Sequence, residues 1–408
     1  MKAVVFGPGR IGCGLAGEAF GAAGWELVFV ARDRATVANL NRNGRYRVRL
    51  VDGRTAHERI VERVRAVPTS AAERVAAEVA SADVVATAVG ARNLPDVARA
   101  LARGLAQRTA PVNVLAFENL ASAGGDLQAG VNQGLCRGVR TRDGFSSVLV
   151  TRAVTHRMGD PARDELTFLG DPCEELVVSG PSLVGSLPKV PGLRVVDDLD
   201  AWFARKLYVF SAGHATTAYL GYLKGYTYIH AAIRDPEIRS AVIAAMIEGQ
   251  RGLAQRYGAE VAGTTRDLDA IVKRFENAAL DDLVSRVARD ARRKLGASDR
   301  LVGAARLAEA AGVVPAQLAL AATGALCFSD PTEPLGAVRD EIEARGLART
   351  LADVSALGPG DPLARRVARV WRLLGREWTS DSPLVSLDEL SRSPQRAPRI
   401  ANEIAGLA

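Results

Sequence analysis

Residues 1–14 read MKAVVFGPGRIGCG, and this stretch decides the fold. A short apolar run, Ala3 to Phe6, ends in Gly7-Pro8-Gly9-Arg10-Ile11-Gly12-Cys13-Gly14, a G-x-G-x-x-G spacing with a fourth glycine. The run reads as a strand, and Arg10 to Ala23 after it has helical character. A strand before and a helix after is the context this spacing needs to bind a dinucleotide. Gly7 permits the tight turn, Gly9 lets backbone amides approach a pyrophosphate, and Gly12 lets helix and strand pack closely. The helix N-terminus then presents its partial positive charge to the phosphates. Arg10 and Ile11, inside the motif, join Gly7, Gly9 and Gly12 as cofactor contacts.

Working outward, Glu26 to Val30, Val84 to Val89 and Val112 to Phe117 are further continuous apolar runs. Helix-like stretches, Ser70 to Ser81 and Pro95 to Gln107, lie among them. Continuous apolar strands alternating with helices indicate a parallel sheet covered on both faces. Three strand-like segments follow over residues 146–178 (SSVLVTRAVTH, DELTFLG, EELVVSG) and extend the sheet antiparallel; Gly180 to Gly192 reads as a connector. Beyond it apolar spacings of three and four predict helices over Asp197 to Tyr219, Pro236 to Tyr257, Arg266 to Leu295, Ala304 to Ala311, Pro315 to Cys327 and Leu335 to Arg345, with a helix and a polar tail after them. The fold class is therefore α/β: a Rossmann-type N-terminal domain with an extended mixed sheet over 1–190, then an all-α C-terminal domain over 191–408.

At the end of the second strand an NAD site usually places Asp or Glu to hold the ribose 2′-hydroxyl. Here the chain reads Ala31-Arg32-Asp33-Arg34, with Ala31 in the acidic slot. Arg32 and Arg34 suit a 2′-phosphate, which favours NADP; Asp33, displaced by two, keeps NAD open. Ala88-Val89 and Glu118-Asn119 follow later strand ends, on the ligand-binding edge of such a sheet, and are further cofactor candidates.

Composition narrows the class. A chain of 408 residues with 48% hydrophobic and 24% charged residues suits a globular protein of two or three domains. The net charge of +7 is spread among acids rather than gathered in a basic tail, which argues against nucleic acid as partner. Cys13, Cys136, Cys173 and Cys327 form no CxxC pair, so neither a zinc site nor a disulfide framework is expected. The longest apolar stretch, Gly312 to Phe328, is too short and too interrupted to span a bilayer. With a strand starting at once and no room for a signal peptide, a cytoplasmic location is expected.

The second informative stretch is Lys206 to Gly221, KLYVFSAGHATTAYLG. The chain writes nearly all its cations as arginine; its lysines are Lys2, Lys189, Lys206, Lys224, Lys273 and Lys294. Arginine cannot release its proton in a protein, whereas a desolvated lysine can. On an α-helix Ser211 and His214 share a face, and Lys206 lies about 12 Å before His214 along the axis. Gly213 would let a ligand approach the backbone.

At this point the chain resembles the polyol-specific long-chain dehydrogenases. That family carries K-L-x-x-x-N-x-x-H-x-x-x-A-Y-L-G, present here with Ser211 in place of Asn. FGPGRIGCG, TAVG at 87–90, FENL at 117–120, LPKVPG at 187–192, RFEN at 274–277 and RRKLGASDRL at 292–301 match in family order. The resemblance implies metal-independent hydride transfer between a secondary alcohol and nicotinamide, with Lys206 as general base and His214 its partner at the reacting oxygen. For that role the Lys206 pKa must fall from about 10.4 toward about 7–8. It further implies a phosphorylated sugar alcohol and its ketose, as in mannitol 1-phosphate and fructose 6-phosphate, and a monomer. Arg152, Arg293, Lys294 and Arg300 lie on matching segments and are the candidate phosphate and substrate contacts. Ser211 forfeits an amide donor typically worth about 3–4 kcal/mol, and Ser147 and Thr151 replace family acids. Both departures leave open an unphosphorylated polyol, a hexuronate or a pathway-specific sugar-like metabolite. The reading from another class is a catalytically silent dinucleotide-binding regulator.

Overall fold

Ala3, Val4 and Val5 are all fully buried, so the first strand is covered on both faces. The computed structural model describes residues 1–53, 55–135, 141–160, 164–331, 333 and 336–375. Cys136, Leu335 and the polar tail lie outside them. Packing divides the chain into two compact units, Met1–Phe203 and a second from Ala204 onward.

The strands of the first unit are β1 (Lys2–Phe6), β2 (Glu26–Ala31), β3 (Tyr46–Val51), β4 (Ala56–Val61), β5 (Val64–Pro68), β6 (Val84–Thr87), β7 (Asn113–Ala116), β8 (Gly144–Val150), β9 (Val154–Met158), β10 (Thr167–Gly170), β11 (Leu176–Ser179) and β12 (Leu193–Val196). The main sheet has the order β12-β11-β8-β7-β6-β1-β2-β5. From β8 to β5 all pairs are parallel, while β11 runs antiparallel to β8 and parallel to β12. The chain moves outward from β1 through β2 to β5, then returns to β6 on the other side of β1. The order reverses between β1 and β6, and ligands bind such sheets at the carboxyl ends of those strands. Gly7 and Ala88 follow the two strands there, with the Ala88 amide donating to the Phe6 carbonyl at 2.8 Å.

A second sheet, β4-β3-β10-β9, corrects the expectation of one sheet. The strands over 146–178 divide: β8 and β11 extend the main sheet, and β9 and β10 leave it. β3 is a period-two strand, with Tyr46, Val48 and Leu50 buried and Arg49 exposed. β4 is largely exposed, so its sequence AHERIV carries little apolar signal.

This second sheet rests on the fingerprint helix, which opens as a π-helix over Gly12–Gly17 and continues as an α-helix over Glu18–Ala22. A Cβ on Gly14 would lie 2.8 Å from a Val154 methyl and 3.3 Å from the Phe168 Cβ. A Cβ on Gly17 would strike the Tyr46 hydroxyl, which donates to the Cys13 carbonyl at 2.9 Å. The fourth glycine thus makes room for a second layer. Arg152 fastens that layer. Its Nη1 donates to Glu18 at 2.8 Å and to the Gly14 carbonyl at 3.0 Å, and its Nε to the Cys173 carbonyl at 2.8 Å.

The second unit is almost wholly helical. The helix Pro236–Tyr257 matches its sequence reading to the residue, because Asp235 accepts from the Glu237 and Ile238 amides and Gly258 stops it in a positive-φ conformation. It packs with Ala212–Leu223, which also meets Ala316–Cys327. Arg266 to Leu295 is not one helix. It breaks into Thr265–Phe275, a 3-10 turn Ala278–Leu280, Val284–Ala288 and Ala291–Lys294. Asn277 caps the 3-10 turn, and Asp281 and Asp290 take left-handed φ of 46° and 67°. Leu347–Ser355 and Pro362–Gly375 complete the described helices.

The side chains of Arg152 and Glu18 are 1% and 3% exposed. Glu18→Ala leaves a buried guanidinium without its charge partner and is expected to cost about 3–5 kcal/mol in urea unfolding. Arg59→Ala, which removes the more exposed partner of Glu18, should cost about 1 kcal/mol or less. Equal costs would contradict this account of how the two sheets are joined.

Candidate active site

In the first unit a cleft of about 480 Å³ opens at the reversal of strand order. Gly7, Pro8 and Gly9, then Ala31-Arg32-Asp33, Ala88-Val89 and Arg157 are among its walls. Gly7 has φ +93°, and a Cβ there would fall 2.5 Å from the Ala88 carbonyl oxygen. A Cβ on Gly12 would collide with the Gly7 carbonyl, whereas a Cβ on Gly9 meets nothing within 4 Å. Two glycines are therefore demanded by packing, and the third leaves bare backbone facing open space. These residues fit a dinucleotide, whose phosphates the bare backbone at Gly9 would admit.

Other predicted cofactor residues take supporting places. Arg10 is exposed and Ile11 half-buried, and neither lines the cleft. The Glu118 carboxylate accepts from the Val89 amide at 3.0 Å and the Gly90 amide at 2.6 Å, so it shapes the loop after β6. Asn119, beside it, has φ +55°. Ala31 is buried and Arg32 exposed. Asp33 caps the helix Arg34–Asn43, accepting from the Ala35 and Thr36 amides, each at 3.1 Å, and from the Thr36 hydroxyl. The Thr36 hydroxyl chiefly, then those amides and the charge of Arg157, hold its carboxyl below the usual range.

The second unit holds Lys206, Ser211 and His214. Lys206–Ser211 is a π-helix, followed by the α-helix Ala212–Leu223. A π turn closes between residues five apart, so Lys206 and Ser211 lie one above the other, closer than an unbroken α-helix would bring them. Burial first, then the charges of Arg274 and Arg300, push the Lys206 amine down to about 8. The Arg274 guanidinium lies over the Phe210 ring, 4.7 Å from its centroid. Ser211 is half-buried and makes no side-chain hydrogen bond among the described residues.

His214 stacks on Phe275 with ring centroids 4.9 Å apart and planes 12° apart. Its Nε2 lies 3.1 Å from the Asp282 carboxylate, which also accepts from Arg286 Nε at 2.7 Å. Burial lowers the His214 pKa against the pull of Asp282. Burial would raise that of Asp282, but His214 and Arg286 outweigh it and hold the carboxyl low. The pair is therefore a neutral imidazole donating from Nε2 to a carboxylate, with Nδ1 left as an acceptor. Gly213 serves packing, not ligand access: a Cβ there would fall 2.7 Å from the Met246 sulfur.

The substrate candidates separate. Arg300, which accompanies Asp299 at 2.8 Å, acts electrostatically on both Lys206 and Lys294. Lys294 is buried, donates to the Val287 carbonyl at 2.7 Å and to that of Arg289, and is pushed down to about 8, by burial first and then by Arg300. Arg293 is paired with both Asp290 and Asp299. Arg152 belongs to the first unit, where its side chain, 1% exposed, is paired with Glu18 under the fingerprint helix. Ser147 accepts from the Gly124 amide and donates to the Ala121 carbonyl; Thr151 donates to the Glu175 carbonyl. Sequence reasoning missed Arg274, although it opens the quoted RFEN segment, and Asp282, which lies 68 positions from His214. Among the described residues no group of three or more His, Cys, Asp or Glu is placed to hold a metal ion. No described helix is long and apolar enough to cross a membrane.

Residues 1–192 match the mannitol dehydrogenase Rossmann domain, and residues 198–354 the mannitol dehydrogenase C-terminal domain. The mannitol-1-phosphate 5-dehydrogenase of Brevibacillus brevis is 35% identical over 93% of this chain and 99% of its own length. That of Shouchella clausii is 36% identical over 90% and 100%. Among solved structures, a substrate-free D-sorbitol dehydrogenase superposes with a TM-score of 0.75 at 17% identity, covering 92% of this chain and 93% of its own. Pseudomonas fluorescens mannitol 2-dehydrogenase, in a ternary complex with NAD and D-mannitol, gives 0.67 at 17% identity over 97% and 95%. At those identities the likeness is one of fold.

The open space at Gly9 gives a direct check. Gly9→Val is expected to leave the thermal midpoint nearly unchanged and to weaken NADH or NADPH binding by roughly tenfold or more in a fluorescence titration. Unchanged dinucleotide binding would contradict the assignment of the cleft.

Proposed function

The chain belongs to the mannitol dehydrogenase family, and from that premise we propose that it interconverts a hexitol phosphate and the corresponding ketose phosphate. The reaction put forward is that in the names of its relatives, oxidation of mannitol 1-phosphate at carbon 5 to fructose 6-phosphate. The observation that carries the proposal is the Lys206 amine, brought to about 8 by burial and by Arg274 and Arg300. One arrangement supplies a base that works near neutral pH and fixed cations for an anionic substrate.

A bound nicotinamide dinucleotide supplies the hydride acceptor. In the oxidising direction the neutral Lys206 amine takes the proton of the substrate hydroxyl. Ser211 donates from Oγ to the oxygen as its negative charge grows, in the place of the family's amide. His214, its Nε2 proton given to Asp282, accepts at Nδ1 from a substrate hydroxyl and fixes the carbon chain. Arg274 and Arg300 draw the phosphate and stabilise charge at the reacting oxygen. In the reducing direction the Lys206 ammonium returns the proton to the carbonyl oxygen. The steps need no metal ion. Ala31 in the acidic slot with Arg32 beside it favours NADP over NAD.

The test is absorbance at the nicotinamide band with both cofactors, against hexitol phosphates, free hexitols and the matching ketoses. Turnover on the phosphate esters is expected; turnover confined to free hexitols would remove the phosphate from the proposal. Lys206→Ala should lower kcat by roughly 10²–10⁴-fold while dinucleotide binding persists. Oxidation should rise with pH through an ionisation near 8. Arg274→Gln removes a charge that depresses this ionisation, so the limb should move to higher pH, by roughly one unit. A limb that stays in place would contradict the role given to Lys206.

A further inference from the structure

Between Lys206 and His214, four residues from each, stands Phe210. It lies in the π turn Lys206–Ser211 and is half-buried. Its ring centroid is 5.9 Å from that of His214 and 5.4 Å from that of Phe275, and Phe275 in turn stacks on His214. The three rings form one cluster. Arg274 precedes Phe275 at the end of the helix Thr265–Phe275, and its guanidinium lies over the Phe210 ring, 4.7 Å from the centroid. Two consecutive residues of one helix therefore meet the same ring, one by packing and the other by cation–π attraction.

A guanidinium in this place needs a hold. The charge of Arg274 acts on both Lys206 and His214 and disfavours a proton on each. A Lys206 ammonium repels the guanidinium in return, and a long side chain ordinarily keeps its charged head in water. A carboxylate would restrain the cation, but its negative charge would favour the ammonium form of the lysine. An aromatic face attracts a cation through its quadrupole and carries no net charge, so this hold does not itself cancel the field of Arg274. Arg300, the other cation that acts on Lys206, shows the contrast: Asp299 accompanies it at 2.8 Å, and its effect on the lysine is the smaller of the two. Arg274 and Arg300 are the charged groups that act on Lys206 from the elements packed around it; Asp282 and Arg286 act on His214.

We propose that Phe210 is a positioning residue for the reaction: the face of its ring holds Arg274 within electrostatic reach of Lys206 and so readies the amine for proton transfer. The inference rests on the reading of Lys206 as the base and is independent of which substrate or cofactor is used. Acetylation of the full chain by a trace of reagent at a series of pH values, followed on the Lys206 peptide, gives the midpoint without turnover. Phe210→Leu keeps an apolar side chain and removes the ring; the midpoint should rise by roughly half a unit to one unit, toward that of Arg274→Gln. Phe210→Tyr keeps the ring and should stay within about 0.2 unit of the unaltered protein. Water admitted to the space of the ring would also raise the midpoint, without help from Arg274. The Arg274→Gln background separates the two causes, since there Phe210→Leu should add less than about 0.2 unit. Phe210→Met repeats the test with a second ringless side chain should Phe210→Leu fold poorly. No rise in the ringless variants, an equal rise in Phe210→Tyr, or a full rise that persists on the Arg274→Gln background would each overturn the role of the ring and leave Lys206 as the base. A midpoint near the ordinary lysine value of about 10.4 in the unaltered protein would instead remove the base, and the role of the ring with it.

Discussion

The amine of Lys206 is held among charges of its own sign, with too little water to screen them. Burial alone disfavours an ammonium ion, and Arg274 and Arg300 disfavour it further. Because neither arginine can shed its proton, the lysine is the member of the group that yields. The cost of assembling like charges is offset within the unit: Asp299 accompanies Arg300, and the Phe210 ring lies under Arg274. The cations that lower the Lys206 ionisation also make the surroundings attractive to an anion, so the proposed base and the proposed charged substrate would share one cause. The π turn contributes by stacking Ser211 over Lys206, and Asp282 contributes by fixing which nitrogen of His214 is free to accept.

In the first unit the controlling constraint is space around the fingerprint helix. Gly7 and Gly12 are required by the backbone of the nucleotide-binding core itself, and Gly14 and Gly17 by a layer added to it. The second sheet covers the helix, and the buried pair of Glu18 and Arg152 fixes the segment between β8 and β9, where the chain leaves one sheet for the other. That added layer also places Arg157 on the wall of the cleft.

How much of this the sequence discloses depends on how local the cause is. The fingerprint is legible because strand, turn and helix are consecutive and each glycine has its own steric reason. The helix Pro236–Tyr257 is legible because Asp235, Pro236 and Gly258 mark its ends. Lys206 stands out because lysine is scarce in this chain. The second sheet is not legible: β3 pairs with β10 across more than a hundred positions, and β4 shows water most of its side chains. The buried pairing of Arg152 with Glu18 is not legible either, because the two lie 134 positions apart. Both π turns escape a reading by period, since apolar spacing does not distinguish which carbonyl each amide selects. Asp282 acquires meaning only beside His214, 68 positions away in the chain.

The central claim is that one particular lysine loses its charge near neutral pH. Trace acetylation of the full protein over a range of pH, with each lysine followed by peptide mass spectrometry, reads that ionisation without turnover. The account requires Lys206 to become reactive with a midpoint near pH 8. A midpoint near the ordinary lysine value of about 10.4 would contradict it.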